Sequence, residues 1–188
     1  MAARIGQELV YDDLSKDNEI DNKTANNWLS LLVSSGLIYL LQPYHNNELK
    51  AIIKRPKLYF MDMGLASYLT KWSDGKTLEI SMMSGAMFET YVISEIVKSY
   101  VNNGEDPNQY LYYYRDNHKK EIDLLIVRNG VVCPLEIKKS MNPGCDAIKN
   151  FNVLEKAKLE IGIGGVICMM ERVLSIDEKN NFIPYQCI

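Results

Sequence analysis

Two apolar, β-branched runs, Glu121 to Val127 and Val131 to Lys138, are separated only by Arg128-Asn129-Gly130, and no other feature constrains the fold as strongly. Asn-Gly tolerates the positive φ angles of a tight hairpin, so the runs are expected to pair as antiparallel strands. With the turn centred near Asn129, Asp123 falls opposite Leu135 or Glu136. Side chains alternate faces along a strand, so Glu136 and Lys138 project together while Ile137 turns into the core. Charged groups then converge on an otherwise oily sheet, where an isolated buried charge is costly. A divalent metal held by Asp123 and Glu136 beside Lys138 would account for the arrangement.

The chain has 188 residues, enough for one domain or two small ones, and its 47% hydrophobic and 24% charged content is that of an ordinary globular protein. The formal net charge of −3 means that nucleic acid would have to be held by local basic patches. Four cysteines, Cys133, Cys145, Cys168 and Cys187, show no CxxC spacing, and Cys133 and Cys168 lie in strand-like runs where a thiol acts as a small hydrophobe. A reducing cytoplasm is the expected compartment. Met1 opens no signal-peptide pattern, and apolar runs such as Leu37 to Leu41 are too short for a bilayer, so no membrane partner is expected.

The two halves of the chain read differently. After a short segment at Tyr11 to Leu14, Asn22-Lys23-Thr24 opens a helix with Ala25, Trp28, Leu29, Leu32 and Val33 on one face, ended by Gly36. Leu37 to Leu41 reads as a strand, Pro43 to Asn47 as a turn, and Lys50 to Lys54 with Leu58 to Phe60 as returning extended segments. Helix, helix, hairpin is a winged helix-turn-helix layout, which assigns residues 1–70 to one domain with Trp28 and Tyr39 in its core. Mixed polarity with Gly75 and Gly85 makes 71–84 a linker. From 85 to 188, a helix carrying Phe88, Tyr91, Val92, Glu95, Ile96 and Val97 leads through a loop to a strand at Tyr110 to Arg115, then the hairpin. A helix from Pro143 with Ala147, Ile148, Phe151 and Leu154 inward, a buried strand over Ile161 to Met170 and a final pair in Val173 to Ile188 complete an α-β-β-β-α-β order.

That order, with Glu89 on the first helix, Asp123 on the second strand and Glu136-Ile137-Lys138 on the third, resembles the α/β core of PD-(D/E)XK restriction-endonuclease-like proteins. Ala2-Ala3-Arg4-Ile5-Gly6-Gln7, the run from Arg55-Pro56-Lys57 to Met63-Gly64-Leu65, Gly85-Ala86-Met87-Phe88-Glu89, Tyr114-Arg115 and Glu121-Ile122-Asp123 carry a closer resemblance. They are similar to the C-terminal region of prokaryotic AAA+ ATPases that ends in a domain of unknown function. The resemblance implies that Met1 opens the C-terminal piece of a longer protein, whose own ATPase domain is a partner and the place where ATP binds. It also implies that Asp123, Glu136 and the backbone carbonyl of Ile137 hold Mg²⁺ or Mn²⁺, with Glu89 on the metal directly or through water. Lys138 would position the attacking water and stabilise charge developing on phosphorus. The implied activity is hydrolysis of DNA phosphodiester bonds.

Taken alone, Glu-x-Lys fits a solvated sheet edge whose ion pair is worth ~0.5 kcal/mol. Asp123 in the preceding strand and Glu89 on the preceding helix tilt the reading toward a metal site. Gly75-Lys76-Thr77 mimics the end of a phosphate-binding loop, yet Thr70 stands where the first glycine is needed, so no ATPase activity is expected of these residues. His45 and His118 lack a second ligand at metal spacing. The helix over Lys23 to Ser34 has one basic residue, whereas Lys50, Lys54, Arg55 and Lys57 cluster in the wing and Lys139 and Lys149 follow the third strand. These six are the expected phosphate contacts, and sequence-specific reading is not expected. A non-catalytic module that binds DNA or protein and regulates the ATPase is the alternative, and a homo-oligomer stays open.

Overall fold

The computed structural model describes residues 1–45, 55–72, 74–155 and 159–188, and its contacts divide the chain into two compact units. Lys50 and Lys54, with part of the expected turn and returning strand, lie outside the described residues.

The first unit comprises Met1–Leu41 and Arg55–Ser94. Helices α1 (Tyr11–Asp17) and α2 (Asn22–Ser34) precede β1 (Ile38–Pro43), which pairs antiparallel with β2 (Lys57–Phe60) from Ile38↔Phe60 to Leu41↔Lys57. Asp21 starts α2 by accepting the Thr24 N–H at 3.0 Å and the Thr24 hydroxyl at 2.7 Å. Gly36, at φ +70°, ends it, donating to the Val33 carbonyl while Leu37 donates to that of Leu32. The N-terminal segment lies along β2: Gly6 donates to the Leu58 carbonyl and Leu58 to that of Gln7. Ile5, Leu9, Leu14, Leu29, Ile38, Leu58 and Phe60 form the core with Ala66 and Met87. Tyr39 is buried as expected, but Trp28 is 53% exposed. The buried face of α2 is the narrow line of Ala25 and Leu29, and Trp28 lies off it.

The expected linker contains a helix. After α3 (Met63–Leu69), Asp74 accepts the Lys76 N–H and the Thr77 hydroxyl and so starts α4 (Gly75–Glu79), whose Leu78 packs on the first core together with Met83. Gly75-Lys76-Thr77 is thus a capped helix start. Helix α5 (Ser84–Asn102) belongs to the first unit through Ser94 and to the second from Glu95, which places the contact boundary within the helix, later than the 84/85 boundary read from composition.

The second unit comprises Gln42–Lys54 and Glu95–Ile188. Its strands β3 (Leu111–Arg115), β4 (Glu121–Arg128) and β5 (Val131–Lys138) form an antiparallel meander. Asn129 and Gly130, at φ 54° and 83°, form the hairpin turn between β4 and β5. A 3₁₀ segment, Cys145–Phe151, runs into the one-turn α6 (Asn152–Glu155), where a regular helix was expected. Gly144 offers no capping side chain, and the Asn150 amide donates to the Glu121 carbonyl at 2.9 Å, pinning the segment to β4. The expected strand over Ile161 to Met170 is interrupted: β6 (Glu160–Ile161) and β7 (Gly164–Cys168) each pair parallel with β5. The break falls beside Cys133 and Pro134, where proline has no N–H to offer. The tail adds β8 (Leu174–Ser175) and β9 (Asn180–Pro184), giving the order β3-β4-β5-β7-β9-β8. One core gathers Tyr114, Ile122, Leu125, Val132, Phe151 and Leu154; another gathers Val166, Cys168 and Phe182. Among the described residues no helix is long and apolar enough to cross a membrane.

Candidate active site

The β4–β5 pairing runs to Leu124↔Leu135, and Asp123 and Glu136 are the next residues beyond it on the two strands. Both side chains are buried, Asp123 at 8% and Glu136 at 4% exposure. Asp123 Oδ2 accepts the backbone N–H of Ile137 at 2.9 Å, an uncommon use of a strand amide that fixes the carboxylate against β5. Strand parity brings Lys138 onto the face of Glu136, with its ammonium 2.9 Å from Glu136 Oε2 and 3.9 Å from Asp123 Oδ2. Burial pushes the Glu136 carboxyl up to about 8; the Asp123 charge adds to the rise and Lys138 opposes it. Burial thus favours the protonated form of Glu136 in the metal-free cleft.

These three side chains line a cleft of about 340 Å³ together with Glu121, Asp146, Ala147, Lys149 and Asn150. Glu121 also pairs with Arg115 at 3.2 Å. Its place was open to strand parity, two residues before Asp123 on the same face. Asp146 and Asn150 gave no such signal, because a 3₁₀ segment presents other neighbours than the expected helix. The Asp123 and Glu136 oxygens are hard donors of the kind that suits Mg²⁺ or Mn²⁺, which complete their shells with water or substrate oxygen. Among the described residues no group of three or more His, Cys, Asp or Glu side chains is arranged to hold a metal ion.

The other expected site residues divide. Glu89 lies in the first unit, where its Oε1 accepts from the Tyr59 hydroxyl at 2.6 Å and from Lys57 Nζ at 3.1 Å. Lys57 is only 2% exposed, so its assignment as a phosphate contact is corrected: the ammonium is buried beside a carboxylate. Arg55 and Lys149 are exposed, and Lys139 is half-buried directly after the site strand. His45 and His118 are both exposed in loops.

Residues 84–188 match the family model described as a domain of unknown function, DUF4143, and residues 1–76 match a second, DUF8612. Two curated relatives, Uncharacterized protein Rv2008c of Mycobacterium tuberculosis and Uncharacterized protein Mb2031c of Mycobacterium bovis, are each 28% identical over 138 residues. The match covers 73% of this chain and 30% of each relative. No solved structure matches the chain.

Proposed function

The chain belongs to the family described as domain of unknown function DUF4143, and from its carboxylate cleft we propose that it carries a PD-(D/E)XK-type, Mg²⁺- or Mn²⁺-dependent site that hydrolyses phosphodiester bonds of DNA. The carrying observation is the juxtaposition of Asp123 and Glu136 across adjacent strands with Lys138 2.9 Å from Glu136. The element order α5, β3, β4, β5, α6, β7 supports this fold reading, and α1, α2 and the β1–β2 pair support a winged helix before it.

Asp123, Glu136 and the Ile137 carbonyl would hold the ion, which when bound supplies Lewis-acid polarisation of a phosphoryl oxygen and a more acidic water. The chain's own groups do the rest. The Ile137 N–H keeps Asp123 in place for coordination, and Lys138, with its side chain 45% exposed, reaches from the buried carboxylates toward the open cleft. There its positive charge meets charge developing on a phosphoryl group. Glu89 lies in the first unit, where its carboxylate accepts from Tyr59 and Lys57, and the proposed site is built from the second unit's residues. An ATPase domain in the remaining length of longer relatives is the expected internal partner.

The test is metal-dependent nicking of single- and double-stranded DNA by wild type, Asp123→Ala and Lys138→Ala, with Mn²⁺ binding measured alongside. Loss of binding in the first variant and of cleavage in both supports the reading. A wild-type protein that neither binds millimolar Mn²⁺ nor cleaves DNA, even when joined to an ATPase domain, refutes it. A partner-binding module is the second reading, favoured by one observation: α2 exposes Trp28 and Leu31, at 53% and 64%, with Lys23 as its single basic residue.

A further inference from the structure

The segment Cys145–Phe151 separates two hollows of the second unit. One is the carboxylate cleft. The other, of about 380 Å³, has a floor of Pro134, Ile148, Phe151 and Ile161, and Lys149 lines both. Lys179 and Asn152, both exposed, stand at its rim. The floor is built rather than incidental. A Cβ on Gly164 would come within 2.5 Å of the Pro134 carbonyl oxygen and 2.9 Å of the Pro134 ring, so only glycine lets β7 press Pro134 into place.

The lining chemistry narrows the occupant. Asp177 and Glu155 also border the hollow, but the Asp177 carboxylate accepts the backbone N–H groups of Lys179 and Asn180 at 2.8 Å and the Asn180 amide at 2.9 Å. Its acceptors are committed to the turn that presents Lys179; Glu155, exposed at the end of α6, is the other carboxylate at the border, and the two exposed lysines are the cations available to phosphate. Apolar walls, a carboxamide and two flanking cations together suit a nucleotide: a flat base against the floor, an edge toward Asn152, and phosphates at Lys149 and Lys179.

We infer that this hollow is a subsite for an unpaired nucleotide of the substrate strand, next to the bond cleaved in the carboxylate cleft, with Lys149 bridging the two. The inference rests on the nuclease reading and adds a substrate class to it. A base stacked in a duplex cannot enter a pocket of this size without leaving its neighbours, so single-stranded or frayed nucleic acid is selected.

The experiment measures binding of labelled oligonucleotides to the full chain in EDTA, where no cleavage occurs. Single strand, the same strand with abasic residues and a blunt duplex are compared at two salt concentrations, for wild type, Lys179→Glu and Ile161→Glu. Melting curves confirm that each variant folds; Lys179 is exposed, so its variant carries the test if Ile161→Glu does not fold. The single strand is expected to bind wild type more tightly than the abasic strand or the duplex. Lys179→Glu should weaken it by about fivefold to tenfold and lower the salt slope by about one. Ile161→Glu should erase the difference between single and abasic strands. Equal binding of those two strands by wild type, or unchanged binding by Lys179→Glu, overturns the subsite. If wild type still cleaves with Mn²⁺ in that case, the nuclease reading survives alone; if it binds and cleaves no nucleic acid, both fail.

Discussion

Lys57 and Glu89 form an ion pair in which the ammonium side chain is 3% exposed and lies 3.1 Å from Glu89 Oε1, the oxygen that also accepts the Tyr59 hydroxyl. The pair joins β2 to α5 within the first unit, thirty-two residues apart in sequence. Removing the carboxylate leaves a buried cation without that compensation, which costs about 3–5 kcal/mol in such settings. Glu89→Ala should therefore lower the unfolding free energy by roughly that amount in urea denaturation. Glu89→Gln should lose less. A variant as stable as wild type would show that the pair does not support the fold.

Gly165 makes a second stability prediction. A Cβ there would run into the Asn181 carbonyl oxygen, in the register where β7 and β9 pair in parallel. The contact is with backbone, so β9 must shift or the pairing must open. Gly165→Ala should destabilise the protein by about 1–3 kcal/mol or more, with loss of protection from hydrogen exchange concentrated in β7 and β9. Unchanged exchange there would contradict the close approach.

How much of this was legible from sequence depends on the range of the interaction. The β4–β5 hairpin was, because Asn129-Gly130 fixes the turn and a period of two then carries Asp123, Glu136 and Lys138 to one place. The N-terminal cap of α2 was found to within one residue, at Asp21 where Asn22 had been read. Lys57 was misread as an outward wing charge, because its partner lies on a distant helix and nothing local announces a buried lysine. Trp28 was misread for the opposite reason: helical spacing marks a broad face, but α2 buries only a narrow line. The break between β6 and β7 had a readable cause in Gly162 and Pro134, which required knowing that the two would be neighbours.

Asp123 has both a structural and a chemical effect that one variant can separate. Its carboxylate accepts the Ile137 N–H, and its charge helps raise the Glu136 carboxyl. Asp123→Ala should leave that amide unsatisfied at about 1–3 kcal/mol. It should also let Glu136 ionise at lower pH, because the repulsion is gone while Lys138 remains. If the proposed activity holds, cleavage should fall by about 100-fold or more. Proton titration of Glu136 by carbon-13 NMR reads the second effect directly; a Glu136 carboxyl that titrates at the same pH in wild type and variant would show that Asp123 does not act on it.

Glu136 contributes a pH-dependent stability to the metal-free protein. Its carboxyl sits near 8 in the folded chain against an ordinary value of 4.5, chiefly because of burial. The folded state therefore binds this proton more tightly than the unfolded state, and the slope of stability against pH is negative between the two values. Stability from this group is fully present below about 4.5, declines as pH rises, and levels off above about 8. The decline should amount to a few kcal/mol, as urea denaturation in EDTA at a series of pH values can measure. Glu136→Gln keeps the size of the side chain and cannot ionise, so its stability should lack this decline and exceed that of wild type at pH 9. Added Mn²⁺ should flatten the wild-type curve, because an ion held by Asp123 and Glu136 favours the deprotonated pair in the folded state. Parallel curves for wild type and Glu136→Gln in EDTA would mean that Glu136 is ionised throughout, with Lys138 compensating for burial.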